Sequence, residues 1–245
     1  MKLAADLHIH SCLSPCANED MTPNNIVNMS VLKGLDVIAV SDHNSAKNLP
    51  AVAALAKRAG ILFLPAIEVQ TREEVHVLAY LPSVEAALEL GETIRNTLLP
   101  IPNREDLFGP QIIMDENDVK IGREERLLLQ PADLSIDELV RLVKALGGAA
   151  VPAHINRRSY SIIHALGFIP PNVFNTLEIS TNAPVCKADT TSYHLIFNSD
   201  AHDLWEISER CNMIWPEERS IEAIIRYINR PLRTVFRKDT KETQL

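Results

Sequence analysis

The sequence is poor in cysteine, and the four it has, Cys12, Cys16, Cys186 and Cys211 in 245 residues, are too few and too scattered for a disulfide scaffold. Cys12 and Cys16 are spaced C-x3-C with no second pair of that kind. They read as reduced thiols, with metal ligation by Cys12 as the alternative. No apolar run is long enough to span a bilayer. The opening MKLAADLHIHS has an early charge but neither a long apolar core nor a cleavage site, which predicts a mature cytoplasmic chain without membrane contact. Positive charge is also short. Lys and Arg number 24 against 32 Asp and Glu, a net charge of −8 that argues against a general nucleic-acid surface. The deficit is local, since residues 104–138 alone hold ten acids and four bases. A basic pocket for one phosphate remains open elsewhere. There is no G-x-S-x-G elbow and no P-loop, so neither a nucleophilic serine nor a phosphate-cradling loop has a motif. No repeat at a solenoid period and no low-complexity stretch is present.

What the chain does have is imidazole beside carboxylate. Six of its eight histidines fall in short clusters: D-L-H-I-H (Asp6, His8, His10), S-D-H-N (Asp42, His43), E-V-H-V (Glu74, His76), P-A-H-I-N (His154) and S-D-A-H-D (Asp200, His202). A lone acid, Glu68, follows the apolar run ILFLPAI. Neutral imidazole plus carboxylate is a ligand set for zinc, iron(II) and manganese, and so many groups exceed the needs of one ion. Each histidine taken alone is as well read as a satisfied core group; the recurrence is what points to metal. His164 and His194 lack such company and read as structural.

Short apolar strands alternate with capped helices. Strands are expected at Leu3–Ile9, Val37–Val40, Ile61–Leu64, Val75–Tyr80, Ala149–Val151, Thr176–Ile179, Leu195–Asn198 and Asn212–Ile214. Helices are expected to open at Thr22-Pro23, at Pro50, at the capping box Ser135-x-x-Glu138 and along Ile221, Ile224, Ile225 and Ile228. Strand–helix repetition predicts a parallel sheet with helices outside. Residues 95–131 break the rhythm and read as an insertion with a short hairpin around Glu116-Asn117-Asp118, serving as a lid or contact or merely as a surface excursion. H-x-H on a strand points both rings one way, and most other polar clusters follow a strand, the end at which α/β enzymes build their sites.

In this order, D-L-H-I-H-S, S-D-H-N, a lone Glu after the third strand, H-V-L-A-Y, A-H-I-N-R and S-D-A-H resemble the PHP (polymerase and histidinol phosphatase) superfamily over about Lys2 to Tyr227. The resemblance implies an α/β fold, a distorted seven-stranded (β/α)7 TIM-like barrel forming a single domain over 1–245, with its insertion after the fourth strand. It implies two or three divalent ions, zinc, iron or manganese, and hydrolysis of phosphate esters. Carried over residue by residue, one ion falls to His8, His10, Glu68 and Asp200. A second falls to Glu68, His76 and His154, with Glu68 bridging. A third falls to His43, His202 and an acid from the loop after the first strand. Pro15 stands where that acid is expected, and Asp20 is the substitute, with Glu19 behind it. Asp6 and Asp42 are expected to orient imidazoles rather than bind metal.

The expected chemistry is hydrolysis of a small phosphomonoester, such as a nucleotide, a sugar phosphate or a histidinol phosphate-like compound. A metal-bound hydroxide attacks phosphorus in line, with no protein nucleophile. Arg157 or Arg158, just after His154, is the expected clamp on the substrate phosphate, and Asn182 is a further candidate for substrate contact. The alternatives are an exonuclease or phosphodiesterase, an amidohydrolase acting on a C–N bond, and a non-enzymatic module that keeps the cluster for stability.

Overall fold

A computed structural model of the protein describes residues 1–184 and 188–232, so Cys186 lies outside the described residues. The first part of the chain runs β1 (Leu3–Ile9), α1 (Pro23–Leu32), β2 (Val37–Val40), α2 (Leu49–Ala59), β3 (Leu62–Phe63), β4 (Ala66–Gln70), β5 (His76–Tyr80) and α3 (Val84–Thr97). The insertion adds α4 (Glu105–Phe108), β6 (Ile112–Met114) and β7 (Lys120–Arg123). There follow α5 (Ile136–Ala145), β8 (Ala149–Pro152), α6 (Ile162–Leu166), β9 (Thr176–Ser180), β10 (His194–Asn198), β11 (Met213–Ile214) and α7 (Ile221–Asn229). All the strands expected from the sequence form, to within one residue at either end. No described helix is long and apolar enough to cross a membrane.

The helices begin where side chains can satisfy their free N–H groups. Thr22 accepts from Asn25 N at the head of α1, and Ser135 and Glu138 form a reciprocal capping box on α5. Gly60 ends α2 in the left-handed conformation at φ +74.

Strand pairing is divided among four sheets, β11-β1-β2-β3, β4-β5-β8, β10-β9 and the hairpin β6-β7. Single bridges connect the first three: Ile9 with Ala201, and His43 with Glu68. The pairing corrects the expectation of an all-parallel sheet. β5 runs antiparallel to both β4 and β8. The reason lies in the connection, since β4 and β5 are joined by residues 71–75 alone. A parallel crossover needs a dozen residues or more, whereas so short a link makes a hairpin.

One apolar cluster collects alternate residues from several strands: Leu3, Ala5 and Leu7 of β1, Val37 and Ala39 of β2, Ala66 of β4, Leu78 and Tyr80 of β5, Ala149 and Val151 of β8, and Ile196 of β10. Ile224, Ile225 and Ile228 of α7 pack against it. Period-2 alternation carries the same faces onward to polar residues. Ala66 leads to Glu68, Leu78 to His76, and Ile196 to Asn198. On β1 the β2 pairing slips register between Asp6 and Ile9, which allows His8 and His10 to turn where Leu7 leaves off. The strands thus bury an apolar floor at one end and a polar cluster at the other.

The insertion does not float free. Ile112 N donates to Cys12 O at 2.9 Å, and Asp118 accepts from Asn24 N and the Thr22 hydroxyl. Gly109, at φ +88, lies so close to the Pro15 carbonyl that a Cβ would stand 2.7 Å from it. The hairpin expected around Glu116–Asp118 is present and braces the loop that follows β1.

Candidate metal centre

Glu68, placed in mid-β4 rather than after a strand end, is the hub. Its Oε1 lies 3.0 Å from His76 Nδ1, 3.1 Å from His154 Nε2 and 3.4 Å from His8 Nε2. Its Oε2 lies 3.1 Å from His43 Nδ1 and 3.3 Å from His10 Nε2. Asp200 Oδ1 stands 3.3 Å from both His8 Nε2 and His10 Nε2. His202, whose Nδ1 is 2.8 Å from the Asp200 carbonyl, stacks on His10. Eight of the nine expected ligands therefore converge.

Asp20 is the ninth and does not join them. It is exposed, and its backbone carbonyl accepts from Asn25 Nδ2 instead. Cys16 lies beside the cluster instead. The potential ligand atoms of His10, Cys16, His43 and His202 all lie within 4.8 Å of one another, as do those of His8, His10 and Asp200, and of His43, Glu68 and His76. Cys12, the other thiol of the C-x3-C pair, is buried and faces the Ile112 carbonyl.

Of the two supporting carboxylates, Asp6 departs from expectation. Asp6 touches no imidazole among the described residues. It accepts from the backbone and hydroxyl of Ser199 and from Ser208 N, and so fixes the turn that presents Asp200. Asp42 accepts from Ser11 and from the Ser14 hydroxyl, and Ser14 Oγ in turn is 3.0 Å from His10 Nδ1. It orients His10 through one intermediary. The carboxylate that grips an imidazole directly is Glu178, which sequence reasoning missed. Fully buried in β9, it is 3.0 Å from His8 Nδ1 through either oxygen, and it accepts from His154 N at 2.7 Å and Asn198 Nδ2 at 2.6 Å. An acid on the inner face of a strand of otherwise apolar and hydroxyl residues, T-L-E-I-S, was the available signal.

Arg157 pairs with Asp200 Oδ2, and Arg158 is exposed without any such contact among the described residues. The Asn182 amide donates to the Ser199 carbonyl. The Tyr160 ring, also unforeseen, stacks on His76 at 4.6 Å and 7°. Backbone strain gathers here, with non-glycine residues His154 at φ 28, Tyr160 at φ 55 and Asp200 at φ 57. A cavity of about 310 Å³ opens above the cluster, lined among others by Cys16, His76, Arg157, Tyr160, Asp200 and His202.

Burial and charge sort the imidazoles. Burial pushes His8 down, but Glu178, Asp200 and Glu68 together hold it well above its ordinary value. Burial also opposes the charge on His10, yet the Asp200 and Glu68 carboxylates, each 3.3 Å from its Nε2, raise it to about 9. Burial wins at His43, His76 and His202, the last falling to about 4, so these rings are neutral at pH 7. Glu68 resists burial through His76, His8 and His43 and lies well below the usual carboxylate range. Protonated His10 stabilises the metal-free fold fully below its ordinary 6.5, and that contribution is lost as pH rises through about 9. Glu68 acts oppositely, its contribution present above the ordinary carboxylate range and lost as pH falls through its depressed value. Urea melts in chelator between about pH 7 and 10 should therefore show a falling midpoint. A midpoint flat over that range would contradict this charge assignment.

No protein-family model matches the chain. By sequence it is 29% identical over 149 residues to an uncharacterized protein of Methanocaldococcus jannaschii, a match covering 61% of this chain and 16% of that one. By structure it is similar to the lesion-specific endonuclease Q of Pyrococcus furiosus, with 20% identity and a TM-score of 0.63 over 94% of this chain and 56% of the endonuclease. Endonuclease Q has also been solved with a duplex whose abasic lesion lies at the active site. A Bifidobacterium adolescentis protein assigned as a metal-dependent phosphoesterase matches over 93% of this chain and 97% of its own, at 17% identity and a TM-score of 0.61. A two-domain Bacteroides vulgatus protein containing a PHP-like metal-dependent phosphoesterase matches over 94% of this chain and 63% of its own, at 16% identity and a TM-score of 0.56. The chain thus has the α/β fold of PHP-like metal-dependent phosphoesterases.

Proposed function

We propose that the protein is a metal-dependent hydrolase of phosphate esters, acting on a small phosphomonoester. The observation that carries this reading is one cavity with an imidazole–carboxylate floor and a guanidinium in its wall. We read β1, β2, β4, β5, β8, β9 and β10 as a distorted (β/α)7 barrel, interrupted where single bridges replace ladders.

The residues fit divalent cations. Ring nitrogens crowd one another, His8 Nε2 and His10 Nε2 at 3.1 Å and His76 Nδ1 and His154 Nε2 at 3.3 Å. Glu68 Oε2 and His154 Nδ1 are buried without a hydrogen-bond partner. Buried polar groups normally have partners, and cations would supply them here. His8, His10, Asp200 and Glu68 would hold one ion; Glu68, His76 and His154 a second; His43 and His202 contribute to a third. Imidazole and carboxylate suit zinc, iron(II) and manganese. Such ions supply Lewis acidity, lowering the pKa of water and neutralising phosphate charge.

The chain's own residues do the rest. Glu178 keeps the His8 Nδ1 proton in place, so that Nε2 points to the cluster. Asp42, through Ser14, does the same for His10. Arg157 offers five donors, of which Asp200 engages one nitrogen, so others can meet phosphate oxygens. Arg157→Ala is expected to raise KM, or to lower kcat and kcat/KM together, by at least about tenfold, since a charged contact contributes roughly 1.5–3 kcal/mol. Arg158→Ala should change little, and steady-state kinetics on the best substrate would decide. Equal activity in both variants would remove the clamp.

One observation favours a second reading, cleavage of a nucleic-acid backbone. The match to endonuclease Q covers 94% of this chain, and that protein takes a DNA lesion into its active site. Net acidity therefore does not exclude a nucleic-acid substrate. The test is a screen with metal-loaded protein over nucleotides, sugar phosphates, histidinol phosphate and duplexes with and without an abasic site. Inorganic phosphate released from a small ester supports the first reading. Strand scission without phosphate release supports the second. Turnover of neither, with hydrolysis of an amide, would overturn both.

A further inference from the structure

We infer that Cys16 binds a divalent cation through its sulfur, as a thiolate, together with His43 and His202. This rests on the metal-dependent reading above and goes beyond it, because it replaces the expected carboxylate by a thiol. Three observations converge. The Cys16 sulfur shares one cluster with nitrogens of His43, His202 and His10, all within 4.8 Å of one another. Tetrahedral zinc with nitrogen and sulfur ligands needs separations of about 3.3–3.6 Å, so a small inward adjustment of an accessible side chain suffices. The His202 Nδ1 is held 2.8 Å from the Asp200 carbonyl, which makes it the protonated nitrogen and leaves Nε2 with its lone pair free. Glu68 Oε2, buried and without a hydrogen bond, lies 3.1 Å from His43 Nδ1 on the inner side of the same cluster.

His10 is the fourth member, but its Nε2 already faces Glu68 and Asp200 at 3.3 Å and its Nδ1 faces Ser14. That leaves two imidazoles and one thiolate for the ion, with room for water or substrate, the arrangement of an open rather than a closed site. Asp20 is exposed and outside the cluster, so no acid of the loop competes. The loop is held for this role. Gly109 of the insertion packs against the Pro15 carbonyl, and Ile112 N binds Cys12 O, fixing the chain on both sides of Ser14. A soft sulfur ligand selects zinc, iron(II) or cobalt(II) over magnesium or manganese at this position.

The test uses cobalt(II) as the probe in the full-length protein, with total metal measured alongside. Wild type should show a thiolate-to-cobalt charge-transfer band in the near ultraviolet. Cys16→Ser should lose the band and one ion per chain while keeping the others. Cys16→Asp should regain the ion without the band, and Cys211→Ser should leave both unchanged. Zinc should slow alkylation of Cys16 in wild type, read by peptide mass analysis, while exposed Cys211 reacts as before. Cobalt bound without a thiolate band, or a band that survives Cys16→Ser, overturns the Cys16 assignment alone. Wild type that binds no cobalt and no zinc overturns the metal-dependent reading with it.

Discussion

Glu68→Ala is expected to lose more than one divalent ion per chain and to abolish turnover. One carboxylate lies within 3.4 Å of nitrogens on His8, His10, His43, His76 and His154, so no other residue among those described touches as many of the proposed ligands. Removing it takes a shared anionic ligand from two cations at once. Groups that only orient a ligand cost about 10–100-fold in affinity or activity, and a bridging ligand should exceed that range. The metal-free protein should suffer too. His8 and His10 are held protonated in part by this carboxylate, and breaking a buried pair costs roughly 3–5 kcal/mol. Glu68→Gln separates the two effects, since it keeps the volume and one acceptor but not the charge. Elemental analysis and thermal melts in chelator read them out independently. Full metal retention by Glu68→Ala would end the bridging assignment, whatever happened to activity.

Part of this site is legible in the sequence. H-x-H on β1 and H-V-L-A-Y on β5 could be placed because period-2 alternation assigns a face without knowledge of the partners. The sequence marks Glu68 as a candidate ligand but sets it after a strand, because Pro65 splits ILFLPAI and the five residues Ala66–Gln70 of β4 look like its tail. The antiparallel direction of β5 is a property of pairing and leaves no trace in an apolar run. The only clue was the short link 71–75. α3 went unread, although Ser83 caps it by accepting from Ala86 N. Cys16 and Asp20 lie in a turn-rich loop, whose side-chain directions follow from individual φ and ψ values and from the packing of a distant insertion. No periodicity reports on either. Asp6 misled because proximity to H-I-H in sequence is not proximity in space, and its hydrogen bonds reach Ser199 and Ser208 instead.

Glu178→Ala should weaken metal binding by about 10–100-fold and destabilise the metal-free fold by roughly 3–5 kcal/mol, although Glu178 itself is not among the groups proposed to ligate metal. Its two oxygens serve three buried donors: His8 Nδ1, His154 N and Asn198 Nδ2. Alanine leaves all three without an acceptor, and each such group costs about 1–3 kcal/mol, less where the neighbourhood can relax or admit water. Asn198 also accepts from Leu7 N through its own oxygen, so its rotation would strip β1 of a contact one residue before His8. The imidazole of His8 would then be free to flip, and its Nε2 would no longer be kept as the nitrogen that faces Glu68 and Asp200. Glu178→Gln is the sharper variant. The side-chain amide can accept with one atom only, which His8 Nδ1 must then share, and its NH2 must oppose a donor from either Asn198 Nδ2 or His154 N. It should therefore fold with a smaller stability loss yet still bind metal more weakly than wild type. Zinc affinity by competition with a chromophoric chelator, measured beside urea melts of the metal-free protein, separates the orienting role from simple destabilisation. Unchanged zinc affinity in a well-folded Glu178→Gln would show that His8 needs no carboxylate to hold its tautomer.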